Sequence, residues 1–473
     1  MKPTIISRVK PRQVKIMKVT IDEFKTHFQG EVLLPDDAGY DDVRQIWNAM
    51  IDRKPGVIAR CRSTEDVIRA IQFGRTQHLL ISIRGGGHNI AGNAVCDDGL
   101  MIDLSLMKDV QVDPTTRTAS VGPGCTLGEV DRVVQAHGLA TPLGINSTTG
   151  VAGLTLGGGF GWLSRKYGMT IDNLLSAEVI TADGQQLNAS ESENADLFWG
   201  LRGGGGNFGV VTRFDFQLHP VGPDVLSGLI VFPFDEAKQV ISQFARFTCT
   251  MPEELNVWMV TRKAPPLPFL PDTFHGKEMV ALALCYVGHP EMGEQLIDPL
   301  RGFGTVIGEH VGVQPYVAWQ QAFDPLLAKG ARNYWKSHNF VHISDSVIDA
   351  IVEYAARLPS PHCEIFIGTI GGQTTRIMPE AMAYSSRDAN YVLNVHGRWE
   401  TAAEDEHCIA WAREFFAKSQ PFASSGAYIN FLTQEETDRI AFAYGATWNR
   451  LVELKSKYDP TNLFRMNQNI RPV

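Results

Sequence analysis

Basic charge is scarce in this chain. Lysines and arginines number 43 against 52 acidic residues, a formal net charge of −9. A nucleic-acid partner is disfavoured, because neutralising phosphates needs a basic surface. Long apolar runs are missing, so no segment reads as a membrane span. Met1 to Gly30 mixes Lys, Arg, Asp and Glu without an apolar core and does not read as a secretory signal. The seven cysteines (61, 96, 125, 249, 285, 363 and 408) are dispersed, and none has CxxC spacing. Neither a zinc site nor a dithiol redox centre is signalled, and the expectation is a cytoplasmic protein with reduced, mostly buried thiols and no metal. No glycine loop carries the Lys-Ser or Lys-Thr pair of a P-loop, and HExxH and GxSxG are absent.

Glycine, by contrast, is clustered. Arg84-Gly85-Gly86-Gly87-His88-Asn89 follows Leu79 to Ile83, a short apolar run that reads as a buried strand. Glycines at a strand end let backbone N–H groups turn toward a bound anion. His88 beside that cradle would touch whatever carries the anion. A second cluster runs from Gly144 through Gly150 and Gly153 to Gly157-Gly158-Gly159-Phe160-Gly161, and a third is Gly203 to Gly209. One long diphosphate cofactor lying along several strand ends accounts for all three. Gly204 to Gly209 matches GxGxxG, but Val210 to Phe216 after it alternates like a strand rather than a helix. The nicotinamide-dinucleotide reading therefore fails on context.

The length of 473 residues argues for two domains. Strands are expected at 79–83, 100–103, 109–112 and 117–121, with helices from Ser63 or Thr64 to Gln77 and from Thr126 to His137. A hairpin turns at Asp183-Gly184, a short helix spans Leu197 to Arg202, and a strand runs from Val210 to Leu218. Beyond Pro223 longer alternating strands are expected at 226–232, 255–261, 279–287, 334–340, 364–371 and 391–397, with helices near 234–248, 290–302 and 345–357. That is the pattern of an antiparallel sheet backed by helices, and the fold class is α+β.

In the strand from Tyr391 to Trp399, Asn394 and His396 fall on one face, which suggests a cavity lining with His396 as a base near neutral pH. Tyr334, Lys336, His338 and Glu364, on other strands of that sheet, read as structural.

Four stretches of the first half, together with the tail, resemble the flavin domain of the vanillyl-alcohol oxidase superfamily and, within it, the berberine-bridge-enzyme-like branch. They are Arg84 to His88; Val121-Gly122-Pro123-Gly124; Gly157 to Trp162 with Lys166-Tyr167-Gly168 and Asp172-Asn173; and Asp196-Leu197-Phe198-Trp199 through Arg202 to Thr212. Tyr458-Asp459-Pro460 and Asn467-Gln468-Asn469-Ile470 are similar to the closing motif of the branch. The resemblance implies a two-domain flavoprotein. Residues 1–220 would form a non-Rossmann FAD-binding domain of the PCMH type and 221–430 a substrate domain, with 431–473 returning to the first.

It also implies FAD bound covalently through His88. The diphosphate would be cradled by Arg84, Gly85, Gly86, Gly87, His88 and Asn89 together with Thr148, Thr149, Gly150, Gly153 and Leu154. Gly122, Gly159, Gly209, Val211, Tyr428, Asn430, Asn467 and Asn469 would complete the cofactor's surroundings. Doubly tethered relatives carry a cysteine where Asn146 stands, so a single link is expected; Cys125, on a different turn, reads as packing. Sugar and alcohol oxidases of the branch use a Tyr-x-Asn-Tyr base, but here the sequence is Tyr428-Ile429-Asn430-Phe431, and Phe431 accepts no proton. The resemblance thus implies an oxidase that passes hydride from a small organic substrate to the flavin and electrons to dioxygen, giving hydrogen peroxide. Tyr428, Asn394 and His396 are the candidate catalytic side chains. A flavin dehydrogenase, a monooxygenase-like tailoring enzyme, a carbohydrate oxidase and a flavin-binding protein without turnover stay open as alternatives.

Overall fold

The computed structural model describes residues 18–424 and 426–473. The first half builds two sheets. A four-stranded sheet has the order Glu31–Leu33, Val57–Arg60, Leu100–Asp103, Ile81–Arg84. Its last three strands are parallel, so the chain crosses over through the helix Thr64–Thr76. Ser63 caps that helix by accepting from the Asp66 amide. An antiparallel five-stranded sheet follows, in the order Val110–Asp113, Thr118–Val121, Val210–Gln217, Leu174–Ile180, Gln186–Ser190. The strand that opens at Val210 confirms that the third glycine cluster leads into a sheet and not a helix.

The second half holds one antiparallel seven-stranded sheet: Gly308–Pro315, Asp224–Pro233, Glu278–Tyr286, Leu255–Lys263, Glu364–Thr369, Tyr391–Trp399, Arg332–Phe340. One face packs against the helices Ala237–Thr248, Pro290–Arg301, Asp345–Ala355 and Asp405–Ser419 in a core that includes Ile230, Phe244, Leu282, Ile351 and Phe415. The other face turns toward the glycine loops of the first half. Two of these elements were not anticipated from sequence. Gly308–Pro315 is a half-exposed edge strand opened by glycine and closed by proline. Asp405–Ser419 carries charge on nearly every turn, which hides its buried stripe of Cys408, Trp411, Ala412 and Phe415.

The C-terminal segment docks back on the first half. Ala427, Ile429, Leu432, Tyr444, Leu451 and Ile470 share a core with Val121, Leu127, Phe198 and Phe214. Six cysteines are buried and Cys249 is exposed. Among the described residues no helix is long and apolar enough to cross a membrane.

Candidate active site

A cavity of about 440 Å³ lies between the glycine loops and the open face of the seven-stranded sheet. Its near wall contains Gly85, Gly86, Gly87, His88 and Asn89, with Asn146, Thr149, Gly150, Gly153 and Leu154. The two loops meet backbone to backbone. A Cβ on Gly86 would fall 2.3 Å from the Gly150 nitrogen, and one on Gly150 would fall 2.2 Å from the Gly86 nitrogen. Gly87 has φ +71°, open to glycine without strain. The amides of Gly86, Gly87, His88 and Asn89 donate to no group among the described residues. A Cβ on Gly153 would meet nothing within 4 Å, so this stretch faces open space. Unspent backbone donors on a glycine cradle fit an anionic, phosphate-bearing cofactor.

His88 follows the cradle. Its Nε2 lies 3.0 Å from Thr148 Oγ1, and Trp47 stacks on the ring at 5.1 Å between centroids. Burial pushes its pKa down to about 3, and the Arg398 charge works in the same direction. The imidazole is therefore neutral and keeps a lone pair, as a nucleophile must.

The far wall is a row across four neighbouring strands. Arg262 is registered opposite Glu364, Glu364 opposite His396, and His396 opposite Trp335. Directly opposed residues share a face, which brings these four side chains together. Glu364 accepts from Arg262 Nη1 at 2.9 Å and from His396 Nδ1 at 3.0 Å. Burial alone would raise the Glu364 pKa, but the Arg262 charge and the His396 hydrogen bond outweigh it and hold it at about 2. Burial dominates at His396 and moves its pKa below the usual imidazole value, with Glu364 opposing. The pair is carboxylate and neutral imidazole, since Arg262 already balances the carboxylate. Nδ1 faces the Glu364 carboxylate, and Nε2 lies 3.4 Å from Asn333 Oδ1, whose orientation is set by Asn333 Nδ2 donating to the Ala331 carbonyl.

Asn394 lies on the same face one row along, in the register Phe366, Asn394, Ser337. It is wholly buried and outside the cavity wall, so of the expected polar pair only His396 reaches the site. Glu364, read from sequence as structural, is part of the wall. Tyr334, Lys336 and His338 point to the opposite face: Tyr334 and Lys336 bind Glu435, and His338 binds the Phe416 carbonyl.

Tyr428 and Asn430 close one side of the cavity. The Tyr428 oxygen accepts from the Gly159 amide at 3.0 Å and from Asn430 Nδ2 at 3.1 Å. Burial pushes its pKa up to about 12. It ties the Gly157–Gly159 turn to the C-terminal segment. Phe431 packs edge-on against Tyr428 at 4.9 Å.

Other expected cofactor residues lie outside this cavity wall. Arg84 is spent on Asp103, with Nε to Oδ1 at 3.0 Å and Nη2 to Oδ2 at 2.6 Å. Gly122 packs against the Met107 carbonyl, Gly159 against Thr170, and Gly209 against Val179 and Ile180. Val211 is buried in the five-stranded sheet. Thr148 turns to His88 rather than into the cavity. Asn467 Nδ2 donates to the Gly206 carbonyl at 2.9 Å, and buried Oδ1 atoms of Asn467 and Asn469 have no protein partner among the described residues. Sequence reasoning missed Trp47, Arg262 and the aromatic wall. The period-two pattern of Trp258, Val260 and Arg262 was the signal for Arg262 and Trp258, cut short because the strand was expected to stop at 261 and runs to Lys263, whereas Trp47 lies outside any regular element and carried no such signal.

Residues 55–190 match the family described as FAD binding domain, and residues 427–471 match the one described as berberine and berberine like. An FAD-linked oxidoreductase of Dictyostelium discoideum is 30% identical over 96% of this chain and 97% of its own length. (R)-6-hydroxynicotine oxidase of Paenarthrobacter nicotinovorans is also 30% identical, over 94% of this chain and 97% of its own. The crystal structure of 6-hydroxy-D-nicotine oxidase from Arthrobacter nicotinovorans superposes with a TM-score of 0.85, at 28% identity, over 94% of this chain and 98% of that one. Glucooligosaccharide oxidase of Acremonium strictum, at 23% identity and a TM-score of 0.85 over 96% of this chain and 98–99% of its own in two structures (0.84 in the second), shares the fold.

Proposed function

The chain belongs to the FAD-linked oxidoreductases of the berberine-bridge-enzyme-like branch of the vanillyl-alcohol oxidase superfamily, and from that premise we propose that it is an oxidase with a single covalent histidyl-FAD, acting on aromatic or heteroaromatic alcohols, phenols or amines. The observation that carries this reading is one cavity with the glycine cradle and His88 on one wall and the Glu364–His396 pair on the other. When bound, the flavin supplies hydride acceptance from a substrate carbon and hands the electrons to dioxygen, which leaves as hydrogen peroxide.

The protein's share follows from its residues. The free amides of Gly86 to Asn89 hold the diphosphate. His88 is the tether, and Asn146 at the place of a second link offers no thiol. His396 takes the proton from a substrate oxygen or nitrogen, while Glu364 at Nδ1 and the Asn333 amide oxygen near Nε2 stabilise the imidazolium that forms. Phe160, Trp162, Trp258, Phe366 and Phe431 offer flat apolar surface and exclude water. Such a wall suits a planar ring better than a sugar, whose hydroxyls would be left unpaired. Phe431 in the usual base position argues the same way. The name of the hydroxynicotine-oxidising relative agrees with a heteroaromatic substrate.

The test is a peroxide-coupled oxygen-uptake panel of aromatic alcohols, phenols, cyclic amines and oligosaccharides. Turnover of an aromatic member with stoichiometric peroxide is expected. Turnover confined to oligosaccharides, or flavin reduction that air does not reverse, would overturn the reading.

A further inference from the structure

Asn146, Thr148 and His88 form a connected chain whose hydrogen positions are fixed by geometry. The Thr148 backbone nitrogen lies 3.0 Å from Asn146 Oδ1. A backbone N–H only donates, so the amide atom facing it is the oxygen. The Thr148 hydroxyl lies 2.8 Å from that same oxygen, and an amide oxygen only accepts. The single hydroxyl proton of Thr148 is therefore spent on Asn146. Toward its other neighbour, His88 Nε2 at 3.0 Å, the hydroxyl oxygen can only accept. Nε2 consequently carries the ring proton, and Nδ1, which has no hydrogen-bond partner among the described residues, carries the lone pair. Trp47 holds the ring plane by stacking at an interplanar angle of 21°, and its own amide donates to the Gly87 carbonyl at 3.0 Å.

We propose that Asn146 and Thr148 are positioning residues for flavin attachment: they lock His88 as the Nε2–H tautomer, so that Nδ1 forms the bond to the 8α carbon. The inference rests on the reading of His88 as the tether. Attachment breaks one C–H bond of the 8-methyl group and one N–H bond of the imidazole and makes one C–N bond. The two electrons and two protons released pass to dioxygen, giving hydrogen peroxide. The Nε2 proton is one of these two and passes through solvent, which reaches this edge of the ring because the Thr148 side chain is exposed. Asn146 thus has work of its own at a place where it offers no second thiol.

The experiment compares wild type with Thr148→Val, Thr148→Ser and Asn146→Ala. Intact mass after acid denaturation reads the covalent fraction, and peptide fragmentation reads which ring nitrogen is substituted. Thr148→Val should lower the covalent fraction about tenfold while yellow, dissociable FAD is retained, a loss of the size seen when a group orienting an imidazole is removed. Thr148→Ser should restore it. Asn146→Ala frees the hydroxyl to donate to His88 and should give slower attachment with mixed Nδ1 and Nε2 linkage. Full attachment of Thr148→Val at Nδ1, or linkage in Asn146→Ala as complete and as uniform as in wild type, overturns the proposal. If Thr148→Val holds no flavin at all, the Asn146→Ala result decides. Absence of covalent flavin from wild type itself would overturn the underlying tether instead.

Discussion

Glu364 carries charge and His396 does not because Arg262 reaches the carboxylate at 2.9 Å and leaves the imidazole only a hydrogen bond. The proposed base therefore works in its neutral form. Its pKa lies below the ordinary imidazole value, so kcat/KM should rise with pH along a limb centred below about 6.5 and stay flat above it. Glu364 is the influence that raises that pKa. Glu364→Gln should shift the limb to still lower pH and cut the plateau by about 10²-fold or more, because the imidazole becomes a weaker base and the imidazolium loses its charged partner. A limb that does not move in Glu364→Gln would remove His396 from the reaction. A second titrating group lies away from the cavity centre. Asp131 is wholly buried, and burial raises its pKa from 3.8 to about 7, with only Gln320 Nε2 at 3.0 Å to counter it. The folded state thus holds a proton that the unfolded chain has lost above about pH 4. Stability declines as pH rises from about 3.8 to about 7. Asp131→Asn should remove that decline and raise stability at pH 8 by roughly 2–4 kcal/mol. Denaturant melts of both proteins at pH 5 and pH 8 check it, and equal slopes with pH would contradict it.

Glycine loops were legible as elements because chemistry and conformation coincide there. Clusters at strand ends signal backbone used for binding, and Gly86 and Gly150 do meet face to face. Gly86→Ala should keep the loops from closing and abolish flavin retention, read by visible absorbance against protein. What sequence left dark has physical causes. Arg262, Glu364, His396 and Trp335 come from four strands, and only cross-strand register aligns them. Periodicity within one strand says which face a residue takes, but not what stands opposite. This is why Asn394 and His396 looked equivalent along the strand, whereas the cavity reaches only one. The Tyr458-Asp459-Pro460 motif was legible as the end of a helix. Its work shows only in three dimensions. Asp459 accepts from the Leu463 and Phe464 amides and pairs with wholly buried Lys455 at 2.7 Å. Lys455 in turn donates to the carbonyls of Asn207 and Phe464, sealing the third glycine cluster against the tail. Asp459→Ala leaves a buried ammonium and should cost about 3–5 kcal/mol, measured by denaturant unfolding.

The whole molecule sets the cavity between two halves, and the chain fastens them at several points. Arg387 and Asp172, both nearly inaccessible, pair at 2.6 Å across the halves. Gln320 reaches from the second half to Asp131 and to the Gly144 carbonyl, and Ser147 donates from its amide to Asp324 at 2.9 Å. These ties hold the first-half loops against the sheet that faces them, so the proposed cofactor wall and the proposed base wall keep their spacing. Those walls are proposed to share one flavin bonded to His88. Intact-mass measurement of the acid-denatured protein tests it most directly. One FAD increment on wild type should survive denaturation and be absent from His88→Ala, with Cys125→Ala unchanged. An unmodified wild-type mass, or an increment that persists in His88→Ala, would contradict it.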